Sequence, residues 1–236
     1  MIPAFNEAHR LPTTLDRLLA DLPAVIDDWE VVVVDDGSVD GTGALVESYA
    51  PSSEVRLVTM GANEGKGAAL RNGVAHARRP IVLFLDADLP VTVAQLDDLV
   101  AGTARADLVV GSRRIAGSSS DPPQPFVRRL GGAAFIQLVR WMGFDITSDP
   151  QCGVKAMRRE SVGPIVAGTS TDGFAFDAEL IDRCRRVGLQ VIERPVAWRH
   201  VEGSTLRPFR DVAATLRELW RLRRQPSVAA GAAVAP

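Results

Sequence analysis

Residues 81–88 run Ile81-Val82-Leu83-Phe84-Leu85-Asp86-Ala87-Asp88. An apolar run this short, closed by charge, reads as a strand buried on both faces of a parallel sheet. It ends on two carboxylates one residue apart. In open sheets of this kind ligands bind beyond the carboxyl ends of the strands, so Asp86 and Asp88 stand where a ligand is expected. The same pattern recurs on either side. Upstream, residues 29–34 form a β-branched apolar run that ends at Asp35-Asp36-Gly37-Ser38, and residues 54–60 form another. Downstream, residues 107–110 run into Gly111-Ser112-Arg113. Helical periodicity fills the gaps at 14–22, 42–49, 67–77 and 91–103. The alternation predicts an α/β fold, a mostly parallel central sheet with helices on both faces.

The second half is less regular. Residues 115–124 are rich in Gly, Ser, Asp and Pro and read as a loop. Helical patterns follow at 126–142, 177–187 and 208–224, with a strand at 189–198. The last helix carries Arg207 and Arg210 at its start, then Arg217, Arg221, Arg223 and Arg224, against Asp211 and Glu218. That local excess suits an anionic surface. The tail at 226–236 is Ala/Val/Gly/Pro-rich and reads as disordered.

Composition bounds the function. The chain has 236 residues, 46% hydrophobic and 24% charged, enough to bury a sizeable core in one domain over residues 1–225. A net charge of −2 argues against a nucleic-acid binder. The two cysteines, Cys152 and Cys184, make no disulfide framework and read as core residues in a reduced, cytosolic setting. No window approaches ~18 consecutive apolar residues, so no transmembrane helix is expected, and no signal peptide is visible. Ile2-Pro3-Ala4-Phe5-Asn6-Glu7 reads as the end of a first strand entering a loop. Either that strand is very short or the natural chain begins upstream, which leaves room for an N-terminal anchor.

Each polar cluster has a chemical and a bland reading. Asp86 and Asp88 can share one Mg²⁺ or Mn²⁺, which also takes phosphate oxygens and neutralises a leaving nucleoside diphosphate. Alone, Asp-x-Asp is also a loop accident; the apolar strand before it and the earlier Asp35-Asp36 pair favour the metal. A carboxylate of Asp35-Asp36 can accept from a nucleobase N–H, and the same stretch reads as a turn with Ser38 or Asp40 capping the next helix. Asn63-Glu64-Gly65-Lys66-Gly67 opens a helix. Its glycines admit a close ligand, and Lys66 and Arg71 bring positive charge towards phosphates, though the spacing is not that of a Walker loop. Arg113, Arg128 and Arg129 can grip an acceptor phosphate; Arg128 and Arg129 equally suit a solvated helix face. His9, His76 and His200 show no metal-ligand spacing.

Together these residues resemble the family 2 glycosyltransferases of GT-A fold, from Ile2 to about Pro208. Ile2 to Glu7, Asp35 to Thr42, Asn63 to Gly67 and Asp86 to Asp88 match the family's donor half. The second half is most similar to the dolichyl- or polyprenyl-phosphate glycosyltransferases. That likeness rests on Asp149-Pro150-Gln151-Cys152-Gly153-Val154-Lys155, on Gly173-Phe174-Ala175-Phe176-Asp177-Ala178-Glu179-Leu180, and on Trp198 with Gly203-Ser204. The Gln-Cys-Gly and Phe-Asp-x-Glu-Leu runs lean to the β-glucosyltransferase branch, favouring UDP-glucose over GDP-mannose. The resemblance divides the chain into a donor half at 1–113, an acceptor half at 114–207 and a cationic helix at 208–225.

By the same resemblance Pro3, Phe5, Glu7, Asp35 and Asp36 hold the nucleoside, Asp86 and Asp88 the metal, and Lys66, Arg113 and Ser204 the phosphates. Two departures stand out. Pro90 replaces a metal-facing Gln of mannosyltransferase relatives, and Thr205 replaces a usual Lys, with Arg207 a substitute. The implied partners are a nucleotide-sugar, a polyprenyl phosphate and a membrane surface, met on the cytoplasmic face by the 208–225 helix or through a membrane partner protein. A phosphate acceptor is already ionised near neutral pH, its second pKa being ~6, and needs no base. A hydroxyl acceptor needs one, for which Asp177 is the first candidate; the same residue can also cap the helix that follows it. A sugar-1-phosphate nucleotidyltransferase is disfavoured by its missing early glycine signature. A glycosyltransferase acting on a hydroxyl, or a non-catalytic sugar-nucleotide-binding module, stays open.

Overall fold

A valine run organises the molecule. In β2 (Val31–Asp35), Val31 and Val33 enter one core cluster while Val32 and Val34 enter the other, as the two-residue period of a strand dictates. The computed structural model describes residues 1–49, 51–52, 54–122, 126–199 and 208–224, with backbone alone at 126–129 and 208–211. β1 (Ile2–Ala4) and β3 (Val55–Thr59) flank β2 in parallel, with Ile2 opposite Val33 and Val33 opposite Leu57. β4 (Ile81–Leu85) continues the sheet, since Leu85 N–H donates to the Met1 carbonyl at 3.0 Å. β7 (Val154–Arg158) lies antiparallel between β4 and β5 (Leu108–Ser112), and β8 (Val191–Pro195) runs parallel to β5. The order is therefore β3-β2-β1-β4-β7-β5-β8.

Helices cover both faces. α1 (Leu11–Asp21), α2 (Thr42–Glu47) and α4 (Val93–Gly102) pack on one through Leu15, Leu18, Val46, Leu96 and Leu99. α3 (Lys66–His76), α5 (Phe126–Trp141), α6 (Arg159–Ala167), α7 (Phe176–Arg186) and α8 (Pro208–Arg224) lie on the other, through Leu70, Val139, Val162, Leu180 and Leu219. Each such side chain contributes about 1.5–3 kcal/mol on leaving water. The fold is α/β, a mostly parallel sheet between two helical layers.

The structure departs from the sequence reading in the second half. Residues 115–124 are not all loop: β6 (Ser119–Asp121) pairs in parallel with β9 (Ala197–Arg199). The strand expected at 189–198 is consequently two, because the chain leaves β5 after Pro195 and changes partner. β7 and α6 were not expected at all. β7 is the antiparallel strand of the main sheet, and its second residue is a buried lysine.

Candidate active site

The pocket forms where strand ends meet helix starts. Asp86 follows β4 and Lys66 opens α3, with Lys66 Nζ 2.9 Å from Asp86 Oδ1. Gly65 turns the chain into α3 at φ +108°, a conformation that favours glycine. Asp177, in the first turn of α7, brings Oδ2 to 4.0 Å from the same ammonium. Lys155 of β7 is 1% exposed; its Nζ donates to Asp177 Oδ1 at 2.6 Å and to the Cys152 carbonyl at 2.8 Å. Burying an ion costs several kcal/mol unless it is paired, so Lys155 and Asp177 sustain each other. Pro3 and Gly153 close the pocket, and a Cβ on Gly153 would overlap the Asp86 carboxylate.

The charges set one another. Burial alone would pull the Lys66 ammonium down; Asp86 and then Asp177 outweigh it and hold the group above its ordinary value. Burial would likewise push Asp86 up, and Lys66 holds it below the usual carboxylate range. Asp88 goes the other way. Burial, and then the Asp86 charge, raise its carboxyl. Its Oδ2 is 3.9 Å from Arg10 Nη1, and its buried Oδ1 has no hydrogen-bond partner.

Other expected residues are engaged by the protein itself. Asp36 accepts from the Glu64 and Gly65 amides, both at 2.8 Å, so both its oxygens order the loop before Lys66. Asp35 accepts the Ser38 amide at 3.0 Å. Glu7 is buried and paired with Arg10, while Phe5 is 41% exposed. Arg113 makes a two-pronged bond to buried Asp149, at 2.7 and 2.8 Å, and its guanidinium lies 4.7 Å from the Trp198 ring centroid. Burial opposes that charge, but Asp149 holds the guanidinium above its ordinary value. Arg128 and Arg129 lie in the first turn of α5, their side chains outside the described residues, as are Ser204 and Arg207.

Lys66, Asp86, Asp177 and Pro3 thus meet in one pocket, and Asp88 and Arg113 lie near enough to Asp86 for their charges to interact with it. Sequence reasoning quoted Asp149, Gly153 and Lys155 for the resemblance but gave them no role, and passed over Arg10. A lone lysine within an apolar run, and Glu7 three residues before Arg10, were the available signals.

The family described as Glycosyl transferase family 2 matches residues 1–163. The chain belongs to glycosyl transferase family 2. Curated relatives in the family extend the likeness. It is 30% identical over 237 residues to the dolichyl-phosphate β-glucosyltransferase of Dictyostelium discoideum, covering 94% of this chain and 72% of that one. With the Homo sapiens protein of that name it shares 31% over 226 residues, covering 89% and 69%. Among solved structures, mannosyl-3-phosphoglycerate synthase from Rubrobacter xylanophilus superposes with a TM-score of 0.70 at 21% identity, covering 98% of this chain and 76% of that one. Glucosyl-3-phosphoglycerate synthase from Mycobacterium tuberculosis, solved with Mn²⁺ and UDP-glucose, gives 0.67 at 22% identity, covering 94% and 77%. At such identities these neighbours establish the fold of this family 2 chain.

The acidic pair suits a divalent cation. Asp88 carries a buried oxygen that nothing satisfies, and its charge stands against that of Asp86. A cation relieves both strains at once. Among the described residues no third His, Cys, Asp or Glu joins the pair. Two carboxylates suffice for Mg²⁺ at nucleotide sites, where phosphate and water commonly supply the remaining ligands.

Proposed function

We propose that this protein is an inverting, metal-dependent glycosyltransferase that moves glucose from UDP-glucose to a dolichyl or polyprenyl phosphate. The observation that carries the acceptor is the buried Lys155–Asp177 pair. Asp177 is the pocket carboxylate best placed to act as a base, yet Lys155 engages one oxygen and Lys66 stands near the other. A hydroxyl acceptor needs a base; a phosphate arrives ionised and needs none. The relatives named dolichyl-phosphate β-glucosyltransferase support glucose as the sugar and dolichyl phosphate as the acceptor.

In this reading Asp86 and Asp88 would hold Mg²⁺ or Mn²⁺, which would supply positive charge against the leaving diphosphate. Lys66 adds a second positive charge at the N-terminus of α3, where free N–H groups and the helix dipole favour phosphate. Asp36 orders the loop that presents Lys66, and Asp35 braces the turn beside it. Pro3, Phe5 and the Glu7–Arg10 pair border the nucleoside. Arg113, held by Asp149 and stacked near Trp198, would meet the incoming phosphate; Arg128, Arg129 and Ser204 are further candidates by sequence alone. The acceptor oxygen attacks the anomeric carbon opposite the diphosphate, so the configuration inverts. Catalysis is then alignment and charge stabilisation.

Among the described residues no helix is long and apolar enough to cross a membrane. The enzyme would meet its lipid from the cytoplasmic face, peripherally, through α8 or through a membrane partner protein. The test is a panel of radiolabelled UDP-glucose and GDP-mannose with a short polyprenyl phosphate. Label should pass from UDP-glucose into an organic-extractable product. Label found only in water-soluble products would overturn the acceptor reading, and transfer from GDP-mannose alone would overturn the donor.

A further inference from the structure

The turn at 171–175 is gripped from two sides. From α3, Gly67 N–H donates to the Asp172 carbonyl at 2.6 Å, Arg71 Nη1 donates to the Thr171 carbonyl at 2.6 Å, and Arg71 also pairs with the Asp172 carboxylate. From α8, Glu218 packs its carboxylate against Gly173. Gly173 leaves the space for it, since a Cβ there would come 2.8 Å from Glu218 Oε1. Leu219, fully buried, anchors this part of α8 to the core. Glu218 Oε2 is itself buried without a hydrogen-bond partner, so the contact costs free energy that a surface glutamate would avoid. The turn joins the two sides of the pocket. Lys66 directly precedes Gly67, and Asp177 lies two residues beyond Ala175.

We propose that Glu218 is a positioning residue: by holding the 173–175 turn against α3 it sets the spacing of Lys66 and Asp177, and so ties α8 to the donor pocket. The kinetic consequence rests on the glycosyl-transfer reading above; the positional one does not. Lys66 acts on charge that develops as the diphosphate leaves, so its misplacement shows in kcat more than in donor binding.

The experiment compares Glu218→Ala and Glu218→Gln with wild type, and repeats Glu218→Ala in a Lys66→Ala background. Glu218→Ala should lower kcat by about tenfold with the KM for the sugar nucleotide within about twofold. Glu218→Gln, which keeps the side chain's size and reach against Gly173, should stay within about threefold of wild type. In the Lys66→Ala background Glu218→Ala should cost nothing more. Wild-type kcat in Glu218→Ala, or an equal loss in both backgrounds, would overturn the proposal. Hydrogen exchange decides the positional claim without substrate. Glu218→Ala should speed exchange at 171–177 while the β2 amides stay protected, and unchanged exchange at 171–177 overturns it. A wild type that exchanges as expected but transfers no sugar to lipid would sink the acceptor reading and leave this contact standing.

Discussion

At the scale of single residues, two side chains and one missing side chain define the chemistry. Asp88 is the clearest case, a buried carboxylate with an unsatisfied oxygen beside a second negative charge. Left to itself it is a defect; in the proposed mechanism a divalent cation beside a diphosphate would make it a ligand. Asp88→Ala should therefore lower turnover by about two orders of magnitude, as for the loss of a main electrostatic stabiliser. Excess chelator should abolish turnover in wild type, and full activity in chelator would remove the metal from the mechanism. Gly153 matters for what it lacks. Its Cα faces the Asp86 carboxylate so closely that a methyl group would displace it. Gly153→Ala should match Asp88→Ala in lost activity while the fold persists, which circular dichroism and a donor-turnover assay would show together. The cysteines are spectators. Burial pushes both thiols up to about 12, and only the thiolate reacts. Native protein at pH 8 should resist iodoacetamide until denaturant is added.

Elements show why some of this was legible and some was not. β2 and β4 announce themselves because each is a short apolar run that ends in acid, and the structure places both within a residue or two of the expected bounds. The helix at 208–224 is likewise plain from its periodicity. β7 was invisible for a physical reason. Lys155 is its second residue, and a charge inside an apolar run argues against a buried strand unless its partner is known. The partner, Asp177, is on another element and appears only in three dimensions. α6 hides behind Pro164 and Gly163, both poor helix formers. Asp36 shows the opposite limit: its position was read correctly, but the two loop amides that occupy it could not be. α8 yields its own prediction through Glu218. Burial, and then Asp172, raise that carboxyl above its ordinary value, against the Ala175 and Gly173 amides and Arg221. An acid raised in the folded state contributes stability below its unfolded value, ~4.3 for Glu, that is lost as pH rises through the folded value. Glu218→Gln should then melt higher than wild type at pH 7, and the difference should vanish near pH 4. A difference that persists at pH 4 would exclude this titration as its cause.

The whole molecule has a charged pocket at the strand ends and two helices whose outer faces lack cover from the described residues. α8 divides its residues cleanly. Thr215 and Leu219 are buried, with Leu216 and Leu222 packed beside them on the core, while Arg217, Trp220, Arg221 and Arg224 share an outward stripe. Trp220 is 50% exposed, and the Arg224 guanidinium lies 3.3 Å from its ring centroid. The apolar side of the helix thus belongs to the fold, and only the aromatic and cationic side is free for another surface. α5 adds Leu130, Leu138 and Trp141, the last 79% exposed. A polyprenyl phosphate resides in a bilayer, so an enzyme acting on it needs such a contact. Tryptophan at the interface with arginines around it suits anionic lipid. Each arginine near such a surface is worth about 1 kcal/mol, and the attraction fades as salt shortens the screening length. The protein should therefore sediment with anionic liposomes at low salt and be released as salt rises. Replacing Arg217, Arg221, Arg223 and Arg224 with Gln should weaken binding without lowering the melting temperature, because none of the four is buried. Trp220→Ala should weaken it further at any salt, since its contribution is apolar. Wild-type protein that stays in the supernatant with anionic liposomes at low salt would rule this stripe out as the lipid contact, and the acceptor would then have to be presented by a partner protein.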